Sequence, residues 1–411
     1  MKKPTTIISA VLLYVVTTSI SYATINYLNS GPSTPSPTSP TTTNTTDANS
    51  LLNIKPNEPK TEACPLNGQL YTKTEREAWE KRRPLAIMVE NSAEARPQSG
   101  LIRSDVLYEA VAEGGVTRFM PVFYCDAQRS DVLVAPVRSV RTYFIDWASE
   151  YGQTPLFGHV LGANCSSEVK GGPCKSDPRA QAIEQLNKFG WRYSKGNDLD
   201  QAAIGAPTYR RNEARLFSLT GQNVVTEHSM EGRTELLWKV GLNRGWTNLD
   251  PDGVNWLDDF RSWKFKEDAK PENRGPVNSI THDFWEGYKQ FDARWEYNPT
   301  TNTYLRFTGG EPHKDLETGQ QLYAKNVAIL ITKETGPVDD LKHLLYTTIG
   351  ESDAYIFQDG QVIKGSWKKD SRLARTLFYT KKGQEIAFNP GRLWISVVAK
   401  RTNVVYPTPT P

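Results

Sequence analysis

Two textures divide the chain. Together they predict an α/β N-terminal domain, a sheet with flanking helices, followed by a β-rich, mainly antiparallel C-terminal domain. Over residues 66–260 short apolar runs alternate with segments of helical spacing. Over residues 261–400 β-rich runs follow one another, several separated by turn pairs. Ahead of both lies a Pro/Thr/Ser stretch with almost no apolar material to bury.

The chain opens with Lys2 and Lys3, then an uncharged, apolar-rich segment from Ile7 to Leu28. At about 1.5 Å per residue it reaches about 33 Å, enough to cross a hydrocarbon core. The lysines favour an N-terminus left inside. Residues 1–28 are therefore expected to be a signal anchor, a single transmembrane helix with everything later extracytoplasmic. Ser21-Tyr22-Ala23 leaves open cleavage as a signal peptide. The long apolar region and the lack of a following cysteine for lipid attachment favour the anchor. Residues 29–65 form a linker, stiffened by the prolines between Gly31 and Pro40.

The globular pattern starts near Leu66. Leu85–Val89, behind Pro84, reads as a buried strand. Ser104 to Glu113 carries apolar residues at 106, 107, 110 and 111, which predicts a helix with Ser104 as N-cap and Gly114-Gly115 as its stop. Arg118–Tyr124, Val132–Val137 and Leu156–Leu161 read as strands. A helix capped at Ser139 is predicted through about Glu150. The β-rich region carries strands at Arg294–Tyr297, Thr303–Phe307, Val327–Ile331, Leu344–Thr348, Ala354–Gln358, Gln361–Trp367, Glu385–Phe388 and Leu393–Val398. The proline-rich tail, 401–411, should be frayed.

Of the 411 residues 38% are hydrophobic and 11 are Trp, ample for packed cores. The formal charge is only +3. The basic pairs Arg82-Arg83, Lys368-Lys369 and Lys381-Lys382 are scattered among acids. With no concentrated basic face, nucleic-acid binding is excluded. Cys165 with Cys174, and Cys64 with Cys125, could form disulfides in an oxidising compartment; unpaired buried thiols are the alternative. The cysteine spacings match no zinc ribbon or finger, and five scattered histidines suggest no metal centre. No motif calls for a cofactor. His159 and His313 read as structural residues, and the tryptophans of Trp238–Trp295 as core rather than a sugar-stacking surface.

The densest polar constellation holds Asn91, Arg96, Asp105, Glu109, Glu113, Arg118, Arg138, Ser139 and Arg141. On the predicted helix, Asp105, Glu109 and Glu113 fall at i, i+4 and i+8 and stack three like charges, which need arginines, a cation or water. Arg138 and Arg141 flank the predicted helix start at Ser139, where exposed amides and guanidinium forks favour an anion. Mutual pairing of these carboxylates and arginines, merely fixing the sheet to its helices, is the competing interpretation.

Ala95-Arg-Pro-Gln-Ser-Gly-Leu101, Asp105 with Tyr108-Glu109, Glu113-Gly-Gly-Val-Thr-Arg118 and Pro136-Val-Arg-Ser139 with Arg141 resemble the YerB-like family of candidate bacterial lipoproteins. Further on, Tyr304-Leu-Arg306, Pro312-His313-Lys-Asp315, Gly360 to Trp367 and Pro390-Gly391 with Trp394-Ile395 look like it too. The resemblance spans about residues 84 to 399. It implies separate N- and C-terminal domains and supplies no catalytic residues. The chain departs from it by lacking a lipobox cysteine and by Glu227-His228-Ser229, where the family often has Pro-His-Asn.

These observations lead to a membrane-anchored cell-envelope protein that binds an anionic wall polymer or an envelope protein through Arg96, Arg118, Arg138 and Arg141. The alternative is a metal-dependent envelope enzyme acting on a phosphorylated or glycan substrate, with Asp105, Glu109 or Glu113 holding Mg²⁺ or Ca²⁺.

Overall fold

The computed structural model describes residues 50–164, 174–192, 196–250 and 252–407. Residues 1–47 form one unit, wholly outside the described residues, and 48–411 the other. The expected anchor, 1–28, and the Pro/Thr linker up to residue 49 therefore lie outside the described residues. Among those described, no helix is long and apolar enough to cross a membrane.

An eleven-stranded sheet dominates the second unit. Its strands are β1 (Leu85–Ile87), β2 (Val106–Glu113), β3 (Val116–Phe123), β4 (Leu156–His159) and β5 (Asp198–Asp200) from the first half. The second half first supplies β6 (Ser279–His282), β7 (Ala293–Asn298) and β8 (Thr303–Thr308), which belong to a separate sheet. It then adds β9 (Asn326–Thr332), β10 (Gly350–Gln358), β11 (Gln361–Lys369), β12 (Leu377–Thr380) and β13 (Leu393–Ala399) to the large sheet. The order is β12-β11-β10-β9-β13-β2-β3-β1-β4-β5, with Val89–Glu90 also paired to β3. Sheet continuity thus crosses the expected boundary at 260/261. Strand β13 makes the junction, running parallel to β9 through Asn326↔Leu393 and to β2 through Leu393↔Val106.

The junction strands owe their place to composition. β9 and β13 are rich in Val, Ile and Leu and buried at every position, as expected of parallel strands covered on both faces. The same property corrects the helix expected over 104–113. Val106–Glu113 is a strand, buried at every position but the last. A strand buried on both faces loses its polar alternation, so its apolar residues fit helical spacing by chance. Gly114-Gly115 does not stop a helix. With φ of 56° and 82° it supplies the left-handed pair that joins β2 to β3 as a hairpin.

The six-stranded second sheet is antiparallel throughout and runs Glu311-Pro312, β8, β7, β6, Val404–Val405, with Tyr323–Ala324 also on β8. Burial alternates along β7 and β8, so one face packs inward. Trp295 meets Trp394 of the large sheet edge-on, ring centroids 5.0 Å apart. The fold is sheet-rich, with several mainly antiparallel sheets. Its helices are short: the longest described, Thr234–Asn243, has 10 residues.

Further differences are local. The helix expected from Ser139 is Thr142–Ala148, with Arg141 at its cap and no side-chain cap bond. Val132–Val137 keeps only Leu133–Val134 as strand, and 385–388 forms isolated bridges. Lys60–Ala63, expected inside the linker, pairs with Leu70–Thr72. In the tail, Val404–Val405 pairs with β6, and residues 408–411 lie outside the described residues. The Cys64–Cys125 disulfide is formed; Cys165, expected to join Cys174, lies outside the described residues.

Candidate functional site

The sequence-derived residues gather in two neighbouring networks, and one of them stands apart. Glu113 ends β2 at a register irregularity beside the diglycine turn. Arg118 rises from β3 opposite Ala110, and its Nη2 donates to Glu113 Oε1 at 2.5 Å. Arg141 Nε donates to Glu113 Oε2 at 2.8 Å. Arg118 Nη1 also donates to the Ser139 carbonyl at 2.6 Å, so Ser139 contributes its backbone and not a helix cap. Burial opposes ionisation of Glu113, yet Arg118 and Arg141 outweigh it and bring the carboxyl down to about 2. Burial, with Arg141 nearby, takes the Arg118 guanidinium down to about 10. Its Nε is buried without a hydrogen-bond partner among the described residues.

Arg138 occupies the rim, 28% exposed, with Nε 3.6 Å from Glu90 Oε1. Glu90 is otherwise satisfied by His228 Nδ1 at 2.8 Å and Ser92 Oγ at 2.7 Å. The charged groups bearing most on Arg118 are Arg141, Glu113, Arg138 and Glu90. The cluster therefore carries three guanidiniums, Arg118 included, against two carboxylates.

The second network is deeper. Glu109, fully buried, accepts from Arg306 Nη2 at 2.9 Å, Thr117 Oγ1 at 3.1 Å and Trp394 Nε1 at 3.2 Å. Burial raises its carboxyl above the usual range despite Arg306. Arg306 lies between Trp295 and Trp394, about 5 Å from each ring. Asn91 donates to Thr117 Oγ1 at 2.7 Å and accepts from Arg96 Nε at 2.9 Å. Arg96 also reaches the Gln290 carbonyl at 2.8 Å and lies over Phe291, which ties the two halves together. Burial lowers its guanidinium to about 10.

Asp105 belongs to neither network. Its Oδ2 accepts the Tyr124 and Cys125 amides at 2.7 and 2.8 Å, and its Oδ1 accepts Asn67 Nδ2 at 2.8 Å. Burial pushes it up to about 7 against those donors. It secures the chain around the disulfide.

Two expectations are corrected here. Asp105, Glu109 and Glu113 do not stack on a helix face; each has its own partners, so no shared divalent site arises from them. Arg138 and Arg141 do not flank the start of a helix capped at Ser139, because that helix begins at Thr142 and has only seven residues.

Sequence reasoning missed Glu90 and met His228, Arg306 and Trp394 only as family-pattern positions without a site role, because their partners are remote along the chain. It read His159 as a structural residue without naming its partners. Asp198 and Asp200 alternate along β5 and so share a face, a pattern visible in the sequence. His159 Nε2 meets Asp198 Oδ1 at 2.6 Å, and Arg192 Nη1 lies 3.0 and 2.9 Å from Asp198 and Asp200. Burial opposes the imidazolium, yet the two aspartates raise it above its usual value. Two cations balance two anions, and Asp200 Oδ1 further accepts the Leu161 and Ala202 amides. These oxygens are committed internally.

Fold and site together define a sheet-rich protein whose two halves share one sheet and whose clustered charges are largely ion-paired within the chain. The chain belongs to the family of proteins of unknown function DUF3048: the family's N-terminal domain matches residues 71–190 and its C-terminal domain residues 280–395. It is 27% identical over 351 residues to the candidate lipoprotein YerB of Bacillus subtilis (strain 168), covering 84% of this chain and 88% of that one. The crystal structure of YerB from Bacillus subtilis superposes with a TM-score of 0.63 at 21% identity, covering 84% of this chain and all of that one. The likeness confirms the fold.

Proposed function

We propose that the chain is an extracytoplasmic protein of the bacterial envelope, tethered through residues 1–28, that binds an anionic wall component or an envelope protein at Arg138. One observation carries the binding proposal: among the described residues, the carboxylates ion-paired with Arg118, Arg138 and Arg141 are Glu90 and Glu113 alone, three guanidiniums to two carboxylates. The surplus positive charge is best relieved at the rim, where Arg138 meets solvent. Arg118 and Arg141, held by Glu113, support Arg138 electrostatically, and Arg96 belongs to the deeper network. The lipoprotein name of the Bacillus relative supports the compartment, as does the Cys64–Cys125 bridge, since disulfides persist in oxidising surroundings.

The test is co-sedimentation of the full chain with isolated anionic wall polymer. Arg138→Ala should weaken retention about fivefold, the ~1 kcal/mol of one charge-assisted contact at an exposed rim. Added salt should weaken wild-type binding. Retention of the variant equal to wild type at every salt concentration would remove the site.

A further inference from the structure

Beside the turn that joins β10 to β11, a lysine, an aspartate and an asparagine close a triangle. Lys266 Nζ donates to Asp359 Oδ2 and to Asn389 Oδ1, at 2.6 Å each. Asn389 Nδ2 donates in turn to Asp359 Oδ1 at 2.7 Å. The amine thus touches the carbonyl oxygen of the amide, while one carboxylate spans the amine and the amide nitrogen.

Separate parts of the fold hold the three side chains. Asp359 occupies the left-handed region, with φ of 54°, ahead of Gly360, a conformation that aspartate tolerates. Its Oδ1 also accepts the Ala269 amide and Asn302 Nδ2, and Asn302 Oδ1 accepts the Tyr297 hydroxyl. Asn389 is locked to Asn326, the first residue of β9: its amide donates to Asn326 Oδ1, and its carbonyl accepts Asn326 Nδ2. Lys266 runs alongside, because its amide donates to the Phe388 carbonyl and the Phe388 amide donates to the Lys264 carbonyl. Asn302, Asp359 and Asn389 are buried, and Lys266 enters from the edge, its side chain 37% exposed. A plain ion pair would need only Lys266 and Asp359. The amide adds what an acyl transfer requires: a nucleophile, an acyl group, and a carboxylate able to act first as base and then as acid.

From this geometry we propose that Lys266 and Asn389 become joined by an isopeptide bond, with Asp359 relaying the protons. Asp359 Oδ2 takes a proton from the Lys266 ammonium, and the freed Nζ attacks Asn389 Cγ. Asp359 hands that proton to Nδ2, the Cγ–Nδ2 bond breaks, and ammonia leaves. The carboxylate then takes the second proton shed by Nζ and passes it to the ammonia. A lysine ammonium and an asparagine amide become a secondary amide and an ammonium ion, with no oxidant and no water consumed. Burial opposes ionisation of Asp359, yet Lys266, Asn302 and Asn389 outweigh it and lower its carboxyl. The ion pair is therefore the resting state and the first proton transfer runs uphill, so the bond forms slowly and once, in the folded chain. It brackets 123 residues of the second half, as Cys64–Cys125 brackets part of the first, and restricts the unfolded chain. The assignment does not rest on the Arg138 site.

The experiment digests the full chain with trypsin, after the folded protein has stood in detergent for a day and its disulfides have been reduced. Trypsin does not cut after an acylated lysine or before Pro271, so tandem mass spectrometry should find residues 265–274 joined to 383–392. The joined pair should be lighter by about 17 Da, one ammonia, than the two peptides summed. Lys266→Arg keeps a cation without the nucleophile and should yield no joined pair. Asp359→Asn keeps the shape without the relay and should slow joining at least about a hundredfold. Two free peptides from wild type would overturn the bond, whatever the variants do. So would loss of ammonia confined to 383–392, which marks closure of Asn389 on its own backbone. Joining at the wild-type rate in Asp359→Asn would overturn the relay.

Discussion

Glu109 and Glu113 stand four residues apart on one strand, yet their surroundings push their carboxyls in opposite directions. Glu109 is sealed between the two sheets, where its one ion-paired guanidinium, Arg306, and the more remote Arg96 cannot offset burial, and its carboxyl rises. Glu113 sits at the strand's end, 29% exposed, between Arg118 and Arg141, and falls to about 2. The contrast shows that the number of partners and access to water decide the state of a carboxylate here, more than its position along the chain. It also separates jobs: the inner pair joins the two halves, and the outer cluster holds charge near solvent.

The largest test of this contrast is Arg306→Ala. It leaves Glu109 buried without its counter-ion, and unfolding in urea at pH 7 should show a loss of ~3–5 kcal/mol. The loss should shrink at lower pH, because a carboxyl raised by burial takes up a proton and no longer needs the guanidinium. The double change Glu109→Gln/Arg306→Met should recover a large part of it. A loss under ~1 kcal/mol would mean that water reaches Glu109 and that the two environments are alike.

Glu113 should show the opposite pH dependence. Its folded value of about 2 lies below the ordinary 4.5. A carboxyl lowered by folding contributes its full stability above about pH 4.5, and that contribution fades as pH falls toward 2. The gap corresponds to ~3 kcal/mol, reduced to ~2 by the solvent reaching the carboxylate. Glu113→Gln should therefore destabilise the protein at pH 7. The difference between wild type and variant in urea midpoint should narrow across that acid window. A difference independent of pH would show that packing and not charge sets the effect.

The outer cluster was far more legible in the sequence than the inner pair, for a physical reason. Glu113 and Arg118 lie on the two strands of one hairpin, and Arg141 follows 28 residues after Glu113, so separations along the chain were modest. Arg306 and Glu109 are 197 residues apart, and Trp394 lies 285 residues from Glu109. Such pairings need the parallel junction of β13 with β2, which no local pattern reports. Burial on both faces explains the mistaken helix. A strand covered on both faces, here by Trp147 and Tyr151 of its own half against Tyr108 and by Arg306 of the other half against Glu109, shows no alternation of its own, and Val106–Glu113 looked amphipathic at the wrong period. Strands with one covered face, such as β7 and β8, kept their alternation and were readable.

The smallest expected effect sharpens the contrast most, because it separates holding the fold from meeting a partner. Arg138 is 28% exposed, and its contact with Glu90 is long, at 3.6 Å. When it is removed, Glu90 keeps His228 and Ser92. A partly exposed pair of this kind contributes ~0.5 kcal/mol or less, so Arg138→Ala should leave the thermal midpoint almost unmoved. Arg118→Ala, by contrast, strips Glu113 of one of its two arginines and frees the Ser139 carbonyl, and should destabilise measurably. If Arg138→Ala were as damaging as Arg118→Ala, the rim would be structural like the rest of the cluster. No guanidinium there would then be free to meet an anion from outside.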